Sequence, residues 1–344
     1  MNILIVRLSA IGDVIHTLPA LNAIRNRYPG ARITWLVEEA AADFVVGHQA
    51  IDRVIISRRK KWIKGIFSRA YLKNLREIFS FLKQLRDKKY DLIINFQTLF
   101  KSGILVALAK GKRKAGYGKG MEHMEHSYIF LNERIRPVDM ENHAILRSLM
   151  LIESLGIKSK EIKYNLPVFS TDRIKAAELL QANSIRGFKP VIAINPVAKW
   201  QTKLWYNDKF AELADRLSMK YGARIIFTGS KDDLSVIEDI ISRMQTKTVN
   251  LAGKTTLKML AAIFELADLV VSTDTGPMHV AAAAETPVVA IFGPTAPWRT
   301  GPFGSIHKIV RADVECSPCF KRKCSSMECM KKISVNQVME SIFI

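Results

Sequence analysis

Hydrophobic positions along the chain come in short runs separated by stretches of helical spacing. Asn2-Ile3-Leu4-Ile5-Val6 is nearly all apolar, the pattern of a strand covered on both faces. Val14–Ile24 places apolar residues at helical intervals, and Ala31–Val37 returns to a β-rich run. A strand–helix–strand opening predicts a parallel sheet. Leu92–Gln97 predicts another strand, and Asn142–Leu155 a helix that ends near Gly156. From Lys158 to Ser170 the chain is polar at first, with Pro167 near the end, and reads as a linker. The plan then repeats without sequence repetition. Helices are expected over about 171–182, 211–221 and 257–267. Strands are expected at Val191–Ile194, Ala223–Thr228, Leu269–Val271 and Pro287–Phe292. The expected fold class is therefore α/β, with two facing Rossmann-like domains and a cleft between them. They cover 1–170 and 171–332. A terminal helix follows in 333–344, opened by the capping-box pattern Ser334-x-x-Gln337.

The loops after two strands carry candidate chemistry. In Leu269-Val270-Val271-Ser272-Thr273-Asp274-Thr275-Gly276-Pro277-Met278-His279 a buried strand runs into a tight loop and a helix. Thr275 or Gly276 suits the cap, and Pro277 suits the first turn, where a missing N–H costs nothing. Free N–H groups and the helix dipole make such a turn an anion site, flanked here by Asp274 and His279. A helix cap without a ligand is the alternative. The loop Arg7-Leu8-Ser9-Ala10-Ile11-Gly12-Asp13 ends where the first helix starts. Asp13 is either an N-cap or a carboxylate that the helix N-terminus keeps ionised and ready to accept a proton. Gly12 stands alone, without G-x-G-x-x-G, which argues against a dinucleotide site of the usual kind.

Charge adds a partner. With 52 Lys and Arg against 32 Asp and Glu among 344 residues, the net charge is +20, a balance that suits anionic partners. Residues 53–89 hold 13 of the cations against Glu77 and Asp87. Arg58, Arg59, Lys60, Lys61 and Lys64 surround Trp62 and Ile63, with Ile66 and Phe67 following; Leu75, Ile78, Phe79, Leu82 and Leu85 then recur at helical spacing. The segment reads as a basic amphipathic stretch for an anionic membrane surface or as a solvated helix face. No secretory leader is visible, and no apolar run approaches the ~18 residues of a span. The expected location is cytoplasmic, resting on a membrane. Cys316-x2-Cys319-x4-Cys324-x4-Cys329 has the spacing of a closed structural zinc site, with plain thiols as the alternative. His123 and His126 have metal-compatible spacing but read more simply as loop residues.

Taken together, Leu4–Leu21, with Arg7–Asp13 at its centre, resembles the opening of the ADP-heptose:lipopolysaccharide heptosyltransferases, glycosyltransferase family 9. Ser272–His279 resembles their donor-site signature, and Gly293-Pro294-Thr295 also fits. The resemblance implies a GT-B fold: acceptor domain first, nucleotide-sugar domain second, terminal helix returning toward the first. It implies Asp13 as general base and Lys203 as the lysine facing the donor. It implies donor contacts at Asp233, Thr255, Asp274, Thr275, Gly276 and His279. Ala198 and Lys199 stand where some members have two threonines on the diphosphate, a departure in which Lys199 would substitute charge for hydroxyls. The reaction implied is inverting transfer of heptose from ADP-heptose to the lipopolysaccharide inner core, with no metal required. The basic cluster 58–64 would hold the phosphorylated lipid acceptor at the inner membrane.

Within the family, 51–103 is similar to the enzymes adding the first heptose to 3-deoxy-octulosonic acid. Cys316–Lys321 is similar to the second-heptose enzymes. The first-heptose reaction is slightly preferred; a second-heptose reaction or another nucleotide sugar is the alternative. A nucleic-acid-binding zinc-knuckle protein would use the charge and the cysteines but leaves both strand–loop–helix motifs unexplained, so nucleic acid is not an expected partner.

Overall fold

The computed structural model describes residues 1–65, 71–122, 124–185 and 187–344. Ile66, Phe67 and His123 of the sequence reading lie outside the described residues. The chain forms two compact units, Met1–Pro167 and Val168–Ile344, divided inside the polar linker.

The first unit runs β1 (Asn2–Val6), α1 (Ile11–Arg27), β2 (Arg32–Glu38), β3 (Arg53–Ser57), α2 (Arg59–Lys64), α3 (Tyr71–Arg86), β4 (Tyr90–Asn95), α4 (Phe100–Leu108), β5 (Gly111–Tyr117), β6 (Glu133–Ile135) and α5 (Ala144–Glu153). The strands form a parallel sheet in the order β3-β2-β1-β4-β5-β6. β1 is central, with Ile5 opposite both Trp35 and Ile94. Ile3 to Val6 are fully buried, which explains their unbroken apolar run: helices cover both faces of such a sheet. On one side Leu4, Val6, Ile93, Phe81 and Leu85 pack together with Trp62. Phe81, rather than Phe79, is the aromatic of α3 that faces inward, 5.2 Å from the Trp62 ring; Phe79 stands out in solvent.

The second unit runs α6 (Ser170–Ala182), β7 (Val191–Asn195), α7 (Asn207–Tyr221), β8 (Arg224–Phe227), α8 (Leu234–Ser242), β9 (Thr248–Asn250), α9 (Leu257–Leu266), β10 (Leu269–Thr273), α10 (Gly276–Ala283), β11 (Val288–Phe292), α11 (Pro297–Thr300), β12 (Lys308–Arg311), α12 (Glu328–Lys331) and α13 (Val335–Glu340). Its sheet is also parallel, ordered β12-β11-β10-β7-β8-β9. Counted from its own first strand, this is the same 3-2-1-4-5-6 arrangement as the first unit, the doubly wound nucleotide-binding order. The terminal helix α13 lies within this unit. Val335, Val338 and Met339 join the core that contains Leu213 and Leu217 of α7, so its apolar face is used there.

His48 gives the first unit a pH dependence. Its Nδ1 accepts from the Ala50 N–H at 3.1 Å, and its Nε2 lies 3.2 Å from the Tyr164 carbonyl. Burial holds its pKa below the ordinary 6.5, with the Tyr164 carbonyl pulling the other way. The folded state therefore prefers the neutral ring, and the unfolded chain protonates first. This contribution is complete above the ordinary value and is lost as pH falls below it. Thermal melts between about pH 7.5 and about pH 5.5 should show stability declining with acid, with a shallower decline in His48→Gln. Equal slopes in the two proteins would remove His48 as the cause.

Candidate active site

In a sheet of this order the crevice lies at the carboxyl ends of the first and fourth strands, where successive connections go opposite ways. In the first unit those strands are β1 and β4. The loop after β1 leads to Asp13, which is the third residue of α1; the N-cap is Ala10. Asp13 Oδ2 accepts from the Ala10 N–H at 2.9 Å. Its Oδ1 pairs with Arg7 at 2.8 Å, and Arg7 also donates to the Phe96 carbonyl just past β4. The carboxylate is thus held from both switch-point strands, yet 39% of its side chain stays accessible. Gln97 stitches the loop, accepting from the Leu8 N–H (3.1 Å) and donating to the Ser9 carbonyl (3.0 Å). Buried Glu38, at the end of β2, takes Lys101 at 2.9 Å and Arg59 at 3.5 Å. The sequence reading covered Arg7 and Gln97 in their loop and strand, and Lys101 within 51–103, without giving them roles, and it missed Glu38. Their common signal is position at a strand's carboxyl end.

In the second unit the switch point lies between β7 and β10. α10 begins at Gly276 with Thr275 as its N-cap and Pro277 in the first turn. Asp274, buried just ahead of the turn, receives Lys203 Nζ on Oδ2 at 2.6 Å and the Thr295 hydroxyl on the same oxygen at 2.6 Å. Lys203 comes from the loop after β7. That loop is pinned on both sides of the lysine. Trp205 is buried and donates its indole N–H to the Ile333 carbonyl at 3.1 Å. The Thr273 hydroxyl donates to the Val197 carbonyl at 2.9 Å. His279 is buried in the first turns of α10. The fold thus gathers a half-buried ammonium, a buried carboxylate, a hydroxyl and a helix N-terminus into one place. Such a place receives an anion and steadies negative charge as it develops. Thr295 is the residue here to which the motif reading gave no role, although Gly293-Pro294-Thr295 pointed to its loop.

The remaining predicted residues fall as follows. Ala198 and exposed Lys199 lie on the loop that carries Lys203. Asp233 closes its own turn: Oδ2 accepts from both the N–H (2.8 Å) and the hydroxyl (2.6 Å) of Ser230. Thr255 is half-buried and precedes Thr256, the N-cap of α9. Among the basic cluster, Arg58 pairs with Glu39 (2.7 Å), Arg59 with Glu38, and Lys61 with Glu77 (2.9 Å). Lys60, Lys61 and Lys64 line an open groove of about 470 Å³ with Gly65 and Asn74.

The spacing of the four cysteines suggested a closed zinc site. Among the described residues no three His, Cys, Asp or Glu side chains converge as metal ligands. Cys316 and Cys324 are exposed, Cys319 is partly covered and Cys329 is buried. A Cβ at position 293 would run into Met330 and lie 3.2 Å from Cys329 Sγ, so Gly293 is what lets α12 pack here. Burial, and then the neighbouring thiols, push the Cys329 thiol up; hydrogen bonds from Met327 and Ser326 hold exposed Cys324 down.

Known proteins resemble the whole chain. The lipopolysaccharide core heptosyltransferase OpsX of Haemophilus influenzae is 30% identical over 308 residues, covering 89% of this chain and 83% of that protein. Lipopolysaccharide heptosyltransferase 1 of Pseudomonas aeruginosa is 30% identical over 325 residues, covering 94% and 88%. The solved structure of E. coli heptosyltransferase WaaC with ADP superposes with a TM-score of 0.80 at 27% identity, covering 99% of this chain and 98% of that one. Relatives named heptosyltransferase 2 and 3 match as well. Fold and these likenesses together define a glycosyltransferase of the two-domain GT-B class. The family model described as glycosyltransferase family 9 (heptosyltransferase) matches residues 78–330, and the chain belongs to that family.

The cysteines give a direct test. Cys316→Ser and Cys324→Ser should each shift stability by no more than about 0.5 kcal/mol, because both side chains face water. Cys329→Ser should cost roughly 1–3 kcal/mol by placing a hydroxyl in the core. Urea unfolding reads both. A large loss from either exposed variant would restore a structural metal site.

Proposed function

We propose that the protein transfers heptose from ADP-heptose to the inner core of lipopolysaccharide, with the first heptose on the 3-deoxy-octulosonic acid of lipid A as its preferred step. One observation carries the reading. The same switch-point position holds a tethered, accessible carboxylate in one unit and a half-buried cation beside a helix N-terminus in the other. Glycosyl transfer needs both: a base for the acceptor hydroxyl and positive charge for the departing diphosphate.

Asp13 takes the proton from the acceptor hydroxyl as its oxygen attacks the anomeric carbon. ADP leaves from the opposite face, and the configuration inverts. A carboxylate is a weak base, so proton transfer completes late, as the bond to ADP breaks. Arg7 and the Ala10 N–H fix the direction of the Asp13 carboxylate before attack. Lys203 and the first N–H groups of α10 receive the charge of the diphosphate, with Asp274 and Thr295 aiming the ammonium. Thr255, Asp233 and His279 contribute the rest of the donor pocket, with Ala198 and Lys199 beside the phosphates. Arg58, Arg59, Lys60, Lys61 and Lys64 meet the phosphates of the lipid acceptor. The protein then works as a cytoplasmic enzyme resting on the inner face of the inner membrane. Among the described residues no helix is long and apolar enough to cross a membrane.

The relatives named heptosyltransferase 1 support the first-heptose step, and the cysteine-bearing segment speaks for the second. Two lipid A acceptors separate these, one carrying only octulosonic acids and one already carrying a heptose, each supplied with ADP-heptose and read by product mass. Product from the first alone assigns the first step, and product from the second alone assigns the next. No product from either overturns the substrate assignment. In the productive assay Asp13→Asn should lower turnover by about 100-fold or more while ADP still binds. Lys203→Ala should lower it by about 100-fold. A Lys203→Ala variant as fast as the parent would remove that residue from the mechanism.

A further inference from the structure

The segment that carries the cysteines is fastened to both loops of the donor site. The Cys319 and Phe320 N–H groups donate to the Pro294 carbonyl at 3.0 and 2.8 Å, one residue before Thr295. The Ser317 hydroxyl donates to the Gly293 carbonyl at 2.6 Å. On the other side, the hydroxyl of buried Thr202 donates to the Lys321 carbonyl at 2.8 Å, one residue before Lys203. These bonds fix where the next residue stands. The Arg322 guanidinium lies 4.7 Å from the centre of the Trp200 ring, and the Lys203 ammonium lies 4.5 Å from the same centre. Two cations therefore share one indole.

Their charges are not equally answered. Lys203 is neutralised by Asp274. No carboxylate pairs with Arg322 among the described residues, and its side chain is exposed. Lys199 adds a third positive charge on the same loop. A guanidinium presents a planar fork of donors that matches a phosphate in two places at once.

We propose that Arg322 is a second cationic ligand of the donor's diphosphate, brought by the segment 317–321 to the Trp200 indole that Lys203 also contacts. Through that fork it supplies donors in the region where Ala198 offers no hydroxyl. The inference rests on the reading of the Lys203–Asp274 cluster as the donor phosphate site.

Calorimetric titration of the full chain with ADP, AMP and adenosine tests it, using the parent, Lys203→Ala, Arg322→Gln and Arg322→Lys. Arg322 is exposed, so its variants should melt like the parent. Arg322→Gln should weaken ADP binding about tenfold, change adenosine binding little, and flatten the salt dependence of ADP binding. Arg322→Lys should recover part of the loss by restoring the charge without the fork. ADP binding by Arg322→Gln at parental strength, with Lys203→Ala impaired, would overturn the role of Arg322 alone. If neither variant affects ADP binding, the donor-site reading falls and this inference falls with it.

Discussion

A parallel strand cannot turn straight back into its neighbour. It must cross over, and each crossover leaves the carboxyl end of its strand on the same edge of the sheet. Both units of this protein live under that constraint and answer it with the same strand order. The order opens a gap between the loops after the first and fourth strands. Four groups at the centre of the chemistry follow those strands: Asp13 and Arg7 after β1, Lys203 after β7 and Asp274 after β10, with Lys101 after β4. Two unrelated stretches of sequence have been led to equivalent places by topology alone.

The two gaps are then furnished with opposite electrostatics. In the first unit a carboxylate is held by one guanidinium and one backbone N–H while much of it stays open to solvent. An accessible acceptor tethered in this way keeps its direction without losing its capacity to take a proton. In the second unit the ammonium is more deeply set, its carboxylate is buried, and a hydroxyl shares the same oxygen. Removing one partner of such a pair leaves the other charged and unanswered in a poorly solvated place, typically at about 3–5 kcal/mol. Lys203 and Asp274 therefore require each other structurally as well as chemically. The carbonyls of Pro294 and Lys321 extend that dependence to the cysteine-bearing segment, whose backbone rather than its sulfur supplies the fastening.

The excess of positive charge is partly spent locally. Arg58, Arg59 and Lys61 have carboxylate partners, and burial of Trp62 against Phe81 anchors their helix to the core. Lys60 and Lys64 remain on the groove beside it. A run of cations in the sequence therefore becomes fewer uncommitted ones on the surface, placed by an aromatic contact that charge counting does not register.

What the sequence determined by itself was the class of fold and the loops that matter. Strands covered on both faces must be apolar throughout, so β1, β7, β10 and β11 announced themselves. Pro277 and Gly276 marked the helix start beside Asp274. Strands at or near sheet edges did not show: β5 reads Gly-Lys-Arg-Lys before it turns apolar, and β6 and β9 are three residues long. Their pairing is supplied by neighbours, not by local pattern. Tertiary structure also decided what no spacing encodes. It made Asp13 an N3 residue held by Arg7, brought Thr295 onto Asp274, turned Phe79 outward, kept α13 on the second unit and spread the four thiols over exposed and buried positions. Each of these depends on residues far apart in the chain meeting across a packed interior, and periodicity records only what lies within a few residues.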